Sequence, residues 1–310
     1  MGINLKNNQD FLEILDKKTL ICDGAMGTSL NSLGYKGPSD LFMLKSEAGN
    51  IVTDIHLQFL KAGSDIIQTN TFGANILKLG HSGGYCSEIE LINKKAAESA
   101  VNAIVLYREY SSDARPLYIA GGLGPSGELL KPYGDMDYGK VVSSFAKQAE
   151  ILIKSGVDFI LIETIMDLNE ALAAVEAVKS INTEIVIACT LTFMDNGVTV
   201  MGNKAEEFGK VLLGAGCDII GANCGVGSDS MIGIIKKIRN ANQEARLIIQ
   251  PNAGLPKVID GKTVFSETPE IMAENFKKIL AYKPAIAGAC CGSTPQHIKK
   301  ISDIVHGKNQ

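Results

Sequence analysis

Three of the seven cysteines in this 310-residue chain occur where they could share a metal ion. Cys224 follows the apolar run CDIIGAN, and the adjacent pair Cys290 and Cys291 follows AIAGA and precedes Gly292. Neighbouring residues of a regular strand point to opposite faces, so the pair can bind one ion only if the chain leaves extended geometry there. Three thiolates suit zinc, and three protein ligands with a fourth position open are typical of a catalytic zinc site.

Two other interpretations of the paired cysteines stay open at this stage. Adjacent cysteines also occur as core residues or as a vicinal disulfide, and a barrel with a Cys290–Cys291 disulfide would be a redox or non-catalytic protein. We interpret the remaining cysteines as buried thiols of predicted strands or of a helix start, namely Cys22, Cys86, Cys189 and Cys217. An odd number of cysteines in a chain of this length favours free thiols over a disulfide framework.

The elements that must position these cysteines alternate along the chain. Short apolar runs rich in β-branched residues predict eight strands, each followed by a segment with helical periodicity. The predicted strands are 19–23, 64–69, 116–121, 157–163, 185–191, 217–223, 246–252 and 285–290. The predicted helices are 50–62, 86–110, 137–155, 168–180, 204–214, 230–242, 269–281 and 295–305. Three helices end in KAGSD, KSGVD and GAGCD, a repetition that indicates repeated βα units.

This alternation predicts an α/β fold. Strands that are apolar on both faces belong in a parallel sheet covered by helices, and eight βα units in about 250 residues are typical of a (βα)8 TIM barrel. A doubly wound open sheet is the alternative. Since no linker or low-complexity segment divides the chain, residues 1–310 are interpreted as a single domain. Within it, residues 1–18 form an N-terminal helical extension, whose helix at 5–16 is expected to cap the bottom of the barrel.

The segments after the predicted strands contain the unusual residues. They include DGAMGT after the first strand, TNTFGAN after the second, ETIMDLN after the fourth, GANCGVGSD after the sixth, PNAGLP after the seventh and ACCGSTPQH after the eighth. In a TIM barrel these segments meet at one end, where the active site lies. The sixth and eighth strands are separated by one strand, so Cys224 can meet Cys290 and Cys291 over the barrel mouth.

These motifs, taken in order, resemble the homocysteine-binding barrel of the homocysteine S-methyltransferase family. The likeness runs from about Leu20 to Val305, and the combination of GxNC with GxCCG makes it specific. TNTFGAN and PNAGLP look most like the homocysteine module of cobalamin-dependent methionine synthase. The resemblance implies an enzyme that transfers a methyl group to the thiol of homocysteine and so forms methionine.

The resemblance also implies roles for the residues at the barrel mouth. Cys224, Cys290 and Cys291 would bind zinc, with the homocysteine thiol as the fourth ligand. The substrate carboxylate would bind backbone N–H groups of loop 24–28, and its ammonium group would lie near Glu163. The candidate substrate-binding residues are Asp23, Gly24, Ala25, Met26, Gly27, Thr28, Glu163 and Asn223. Asn223, like Asn70 and Asn252, is a strand-end amide that is expected to brace its loop.

The methyl donor is expected to come from outside the chain. Complete cobalamin-dependent methionine synthases have folate-binding, corrinoid-binding and reactivation modules, and 310 residues leave no room for them. The resemblance therefore implies methylcobalamin carried by a partner corrinoid protein or domain. Within the same family, S-methylmethionine or betaine is the alternative donor.

Four further residues are not expected to take part directly in the chemistry. Asp54 and His56 begin a DxHxxG pattern associated with corrinoid-binding domains, but Phe59 replaces its glycine, so His56 is interpreted as an ordinary helix residue. Asp167, three residues before Glu170, is interpreted as a helix cap in a capping box. His297 is expected at the surface or in a supporting position behind the site.

Composition and charge narrow the class of partners. Thirty Lys and Arg against 34 Asp and Glu give a net charge of −4, and no run of basic residues exceeds two. Neither nucleic acid nor a membrane surface is therefore an expected partner. No apolar run approaches the ~18 residues of a membrane span. The N-terminal residues lack the apolar core of a secretion signal, so a cytoplasmic enzyme is expected.

Overall fold

The computed structural model describes residues 8–259 and 262–307, and the described chain forms a barrel of eight parallel strands surrounded by helices. The barrel strands are β1 (Leu20–Ile21), β2 (Ile66–Gln68), β3 (Tyr118–Leu123), β4 (Phe159–Ile165), β5 (Ile187–Leu191), β6 (Ile219–Gly227), β7 (Arg246–Asn252) and β10 (Ile286–Ala287). Between β7 and β10, the strands β8 (Pro256–Ile259) and β9 (Lys262–Phe265) form an antiparallel hairpin.

The strands are hydrogen-bonded in the order β1-β10-β7-β6-β5-β4-β3-β2. The two ends of this order, β1 and β2, meet through a parallel bridge between Cys22 and Ile66. Beside it, the N–H of Asp65 donates to the carbonyl of Ile21 at 2.7 Å. The sheet is thus a nearly closed barrel, which confirms the predicted (βα)8 TIM barrel and shows that the open-sheet alternative is wrong.

Helices cover the outside of the barrel. The longer ones are α3 (Ala48–Lys61), α5 (Ile89–Tyr110), α6 (Tyr138–Lys154), α7 (Leu168–Ile181), α9 (Ser228–Ala241), α10 (Pro269–Ile279) and α11 (Pro295–Val305). Three short helices are α2 (Met26–Ser32), α4 (Ile76–His81) and α8 (Phe208–Gly214). Neither α2 nor α4 was predicted, because so short a helix shows little periodic pattern of its own; α8 was predicted as part of a longer helix over 204–214. None of the described helices combines the length and apolar composition needed to cross a bilayer.

Helix α1 (Asn8–Lys17) packs beneath the amino-terminal ends of the strands. The ring of Phe11 lies 4.6 Å from the ring of Tyr118 and 5.0 Å from that of Phe159, both inside the barrel. Leu15, one turn further along the same face, joins this inner cluster. Residues 5–7 of the predicted helix lie outside the described residues. Since the bottom of the barrel is filled with side chains, the pocket must lie at the opposite end.

Several local expectations are corrected. β10 ends at Ala287, not at residue 290, although the Cys290 N–H still donates to the carbonyl of Pro251 in β7 at 2.7 Å. Cys86 is exposed in a short 3-10 helix, whereas Cys22, Cys189 and Cys217 are buried as predicted.

Two helix starts also differ from expectation. Asp167 caps α7, but the predicted capping box is wrong: the Glu170 carboxylate instead accepts the N–H and hydroxyl of Ser126, at 2.7 and 2.5 Å. His297 is buried and completes a capping box with Thr294 at the start of α11.

Candidate metal and substrate site

The sulfur atoms of Cys224, Cys290 and Cys291 all lie within 4.8 Å of one another at the mouth of the barrel. The Sγ atoms of Cys290 and Cys291 are 4.0 Å apart. Tetrahedral zinc with Zn–S bonds of about 2.3 Å holds its sulfur ligands roughly 3.8 Å apart. The three cysteines therefore offer a donor set whose chemistry and spacing fit zinc.

A bend in β6 places the first of these sulfurs. Cys224 has φ 55°, in the left-handed region that non-glycine residues seldom adopt. The register of β6 against β7 shifts between Asn223 and Gly227, so the strand leaves its ladder at this point. The Cys224 side chain consequently lies beside the two sulfurs that follow β10.

Hydrogen bonds among the three thiols shift their pKa values in opposite directions. Hydrogen bonds from Cys290 and Cys291 lower the pKa of the Cys224 thiol to about 3. The bonds they donate to Cys224 raise the pKa of Cys291 to about 12 and that of Cys290 well above its ordinary value. Full ionisation of all three would place three negative charges together, which a bound divalent cation would stabilise.

A cavity of ≈ 200 Å³ opens beside the sulfurs. It is smaller than the roughly 300–1,000 Å³ of pockets for drug-sized ligands, so it suits a small metabolite. Its lining includes ten of the eleven candidate metal- and substrate-binding residues: Asp23, Gly24, Ala25, Met26, Gly27, Thr28, Glu163, Cys224, Cys290 and Cys291. The remaining one, Asn223, is fully buried behind Glu163 and is not part of the pocket wall.

Two buried carboxyl groups face this cavity. Glu163 is 7% exposed, and burial raises its pKa to about 8. Asp23 is 4% exposed, and burial raises its pKa to about 7. Within residues 8–259 and 262–307, neither carboxyl forms an ion pair with a Lys or Arg side chain. A cationic group entering the cavity would favour ionisation of both carboxyls and so bind there.

A buried histidine lies behind Asp23. The Nδ1 atom of His56 is 3.9 Å from Oδ2 of Asp23, and neither ring nitrogen has a hydrogen-bond partner among the described residues. Burial lowers the pKa of His56 to about 3, so the ring is neutral and gives Asp23 no counter-charge. His56 lies on helix α3 as predicted, but its burial against the site was not foreseen.

Gln68, at the end of β2, joins the two carboxyl groups and was missed by the sequence analysis. Its backbone N–H donates to Oδ2 of Asp23 at 2.9 Å, and its side-chain amide donates to Oε1 of Glu163. The available signal was a polar residue at the carboxyl end of an otherwise apolar strand. Inward-facing positions at that end of a TIM-barrel strand line the site.

The loop before α2 forms another part of the cavity wall. Ala25 is the N-cap residue and has no side-chain oxygen to accept the first N–H groups of the helix. The loop is fixed to the cysteine segment, because the Ala25 N–H donates to Oγ of Ser293 at 3.1 Å and Oγ1 of Thr28 accepts the Gly292 N–H at 3.3 Å. Such N–H groups suit a carboxylate, and binding of the substrate carboxylate here stays a prediction.

Fold and site together define a TIM-barrel protein with a three-cysteine centre at the carboxyl ends of its strands. Residues 20–305 match the family model described as homocysteine S-methyltransferase. The chain therefore belongs to the homocysteine S-methyltransferase family, which confirms the resemblance seen in its motifs.

Comparison with individual proteins gives two kinds of relative. The chain is similar to the methionine synthases of Mycobacterium tuberculosis, at 29% identity over 311 residues, and Mycobacterium leprae, at 28% over 314 residues. Each match covers 96% of this chain but only 25% of the relative, so the chain spans about a quarter of the length of these proteins.

Solved structures of the homocysteine methyltransferase MmuM from Escherichia coli share the fold. The oxidised form superposes with a TM-score of 0.80 at 20% identity, covering 98% of this chain and 100% of MmuM. The metallated form gives 0.79 at 21% identity, covering 94% and 98%. At these identities the likeness supports the fold.

Proposed function

We propose that this chain is a zinc-dependent methyltransferase unit that methylates the thiol of homocysteine and so forms methionine. The observation that carries the proposal is that three cysteine sulfurs converge beside a small cavity. Two buried carboxyl groups line this cavity and have no Lys or Arg partner among the described residues. A thiol-activating centre and an ammonium site in one cavity match the two ends of a thiol-containing amino acid.

Cys224, Cys290 and Cys291 would bind the zinc. When bound, zinc supplies a positive charge that lowers the pKa of a thiol ligand, so that the nucleophilic thiolate is present at neutral pH. The structural neighbour MmuM has been solved in a metallated form, which agrees with a bound metal in this chain.

The other pocket residues bind and orient the amino-acid end of the substrate. Glu163 and Asp23 would accept hydrogen bonds from the ammonium group and release their own protons as it binds. The backbone N–H groups of loop 24–28 would bind the carboxylate. With that end fixed, the substrate sulfur is held for in-line attack on the methyl carbon. The S–CH₃ bond forms as the donor–CH₃ bond breaks, the bonding electrons stay with the donor, and the thiol proton leaves to solvent.

The proposed donor is a methylcorrinoid carried by a separate protein or domain. Exposed apolar side chains ring the barrel mouth, with Leu129 at 52%, Tyr133 at 69%, Val200 at 62% and Val258 at 78% exposed. They lie in the loops after β3 and β5 and in the β8–β9 hairpin. An apolar rim suits a macromolecular carrier, whereas a small donor needs only the cavity. Relatives named methionine synthase that are four times as long agree with a donor on another module.

Metal analysis tests the centre itself. Protein purified under reducing conditions should hold about one zinc per chain, and Cys224→Ala should lose it. Cys189→Ala, which removes a buried thiol of the barrel wall, is the matched control and should keep its zinc. X-ray absorption at the zinc edge should show three sulfur ligands, and a fourth once homocysteine is added. Zinc-free protein with a Cys290–Cys291 disulfide would support the redox barrel instead.

A donor assay separates the members of the family. Methionine formation should be seen with a methylated corrinoid protein and should be absent with S-methylmethionine or betaine. Activity with S-methylmethionine or betaine alone would overturn the proposed donor and leave the zinc and homocysteine assignments in place.

A further inference from the structure

Thr164 adopts a strained backbone conformation directly after Glu163. Its φ is 60°, and a β-branched residue is strained in the left-handed region unless its surroundings hold it there. The register of β4 against β5 shifts between Ile162 and Ile165, so the strand bends at the carboxyl-bearing residue. The position of the Glu163 carboxyl group therefore depends on whatever holds this bend.

The side-chain amide of Asn223, in β6, holds this bend by hydrogen bonds. Its Oδ1 accepts the Thr164 N–H at 2.8 Å and the Thr190 hydroxyl at 2.7 Å. Its Nδ2 donates to Oγ1 of Thr164 at 2.7 Å. Because a backbone N–H can only donate, it fixes which end of the amide is oxygen and so points the NH₂ group the other way.

The NH₂ group of Asn223 also reaches both halves of the proposed site. One of its hydrogens is used by Thr164, and the other faces Oε2 of Glu163 at 3.4 Å and Sγ of Cys290 at 3.9 Å. Asn223 is fully buried, so no water competes for these contacts. A single hydrogen-bond donor thus lies between the carboxyl group and one sulfur of the triad.

We propose that Asn223 is a positioning residue that couples the carboxyl anchor of the pocket to the three-cysteine centre through this shared donor and the Thr164 bend. The inference rests on the proposed function, because it assigns homocysteine to the Glu163 end and zinc to the Cys290 end. Displacing the amide moves Glu163 and Cys290 together. Substrate affinity and zinc affinity are therefore linked through Asn223, although it touches neither ligand.

Two other asparagines, Asn203 and Asn70, brace loops but do not contact Glu163 or Cys290. Oδ1 of Asn203 accepts the N–H of Leu168 at 3.1 Å, which fixes the same β4–α7 connection a few residues later. Nδ2 of Asn70 donates to the carbonyl of Ser39 at 2.6 Å. Asn203→Ala is therefore the matched control, since it removes a brace of the same connection without changing a contact to Glu163 or Cys290.

The experiment compares Asn223→Ala, Thr164→Gly, their double variant, Asn203→Ala and the wild type. It measures the zinc dissociation constant by chelator competition, homocysteine binding to zinc-loaded protein by calorimetry, and the thermal unfolding midpoint. Asn223→Ala should weaken both zinc and homocysteine at least tenfold and lower the midpoint. Thr164→Gly relieves the φ strain, so the double variant should regain the midpoint while both affinities stay weak. Asn203→Ala should lower the midpoint alone.

The outcomes separate a brace from a coupling residue. If the double variant regains both affinities along with the midpoint, Asn223 only holds the backbone and the inference is overturned. Loss of homocysteine affinity at wild-type zinc affinity, or the reverse, would also overturn it, because the two ends would then be independent. Wild-type protein that binds neither ligand would overturn the proposed function, and the inference with it.

Discussion

Cys290 and Cys291 are adjacent in the chain, yet their sulfur atoms lie 4.0 Å apart and both line the same cavity. A regular strand would send them to opposite faces. The chain avoids this because it turns after Cys290: the Cys290 N–H still donates to the Pro251 carbonyl of β7 at 2.7 Å, but the Cys290 carbonyl accepts both the N–H and the hydroxyl of Ser293, at 3.1 and 2.7 Å. The tight turn, not the strand, brings the two thiols together.

This turn depends on Gly292. Its φ is 81°, and a Cβ added there would overlap the ring of Phe265 in the β8–β9 hairpin. Gly292→Ala should therefore lower the zinc content and destabilise the fold by about 1–3 kcal/mol. Gly156→Ala is the control, because Gly156 has a similar φ of 86° and open space around its Cα. Equal zinc content in both variants, measured by metal analysis, would contradict this account of the turn.

Glu163 is expected to act in substrate binding rather than in metal binding. Glu163→Gln keeps the shape of the side chain but removes the charge that would bind the ammonium group, so the KM for homocysteine should rise at least tenfold while zinc content is unchanged. Glu170→Gln is the control, since Glu170 is a buried carboxyl in the next helix that bonds Ser126 outside the pocket. Steady-state kinetics check this, and an unchanged KM in Glu163→Gln would remove Glu163 from the substrate site.

Asp23 should make the stability of the substrate-free protein depend on pH. Burial raises its pKa from 3.8 to about 7, so between these values the folded state holds a proton that the unfolded chain has released. The contribution of this group to the free energy of unfolding is therefore fully present below pH 3.8. It is lost as the pH rises from 3.8 through 7, by a few kcal/mol in total.

Asp23→Asn should remove this part of the decline. Denaturant unfolding of the variant and the wild type at several pH values between 4 and 8 gives the free energy of unfolding of each, and their difference should change with pH. Asp54→Asn, at an exposed position of α3, should keep the wild-type profile. Parallel profiles for Asp23→Asn and the wild type would show that Asp23 does not hold its proton in the folded state.

The exposed apolar side chains at the barrel mouth should affect the kinetics only toward a methyl donor that is carried by a protein. Val258→Asp and Leu129→Asp should each raise the KM for a methylated corrinoid protein severalfold, because a charge would have to be desolvated in the contact. Neither should change the KM for homocysteine. Val105→Asp, at a 46%-exposed position on α5, is the control. Rim variants with wild-type kinetics toward the carrier would place its contact elsewhere.

Helix α1 should stabilise the barrel without affecting the binding of homocysteine. Phe11→Ala removes a ring that is 3% exposed and packs on Tyr118 and Phe159. The free energy of unfolding should therefore fall by about 3–5 kcal/mol. Tyr110→Ala, at a 79%-exposed side chain, should stay within about 0.5 kcal/mol. Denaturant unfolding gives both values, and the KM for homocysteine of folded Phe11→Ala should equal that of the wild type.

The repeated units of the fold could be predicted from sequence because their signals are local. The strand predicted at 246–252 and the helix predicted at 295–305 coincide with β7 and α11, where an apolar run or a Thr-Pro start marks the element. The hairpin β8–β9 and the helix α2 were missed, since their short segments are stabilised by contacts with the barrel mouth rather than by a periodic pattern.

The sequence by itself determined the (βα)8 alternation and the placing of cysteine and carboxyl side chains at the ends of successive strands, since periodicity acts over neighbouring residues. Only the tertiary structure decided which of these side chains meet. The bend at Thr164 is held by an amide 59 residues away, and the thiols of Cys224 and Cys290 converge across 66 residues of chain. Positive φ angles and buried hydrogen bonds of this kind are stabilised by distant partners, and no local pattern encodes them.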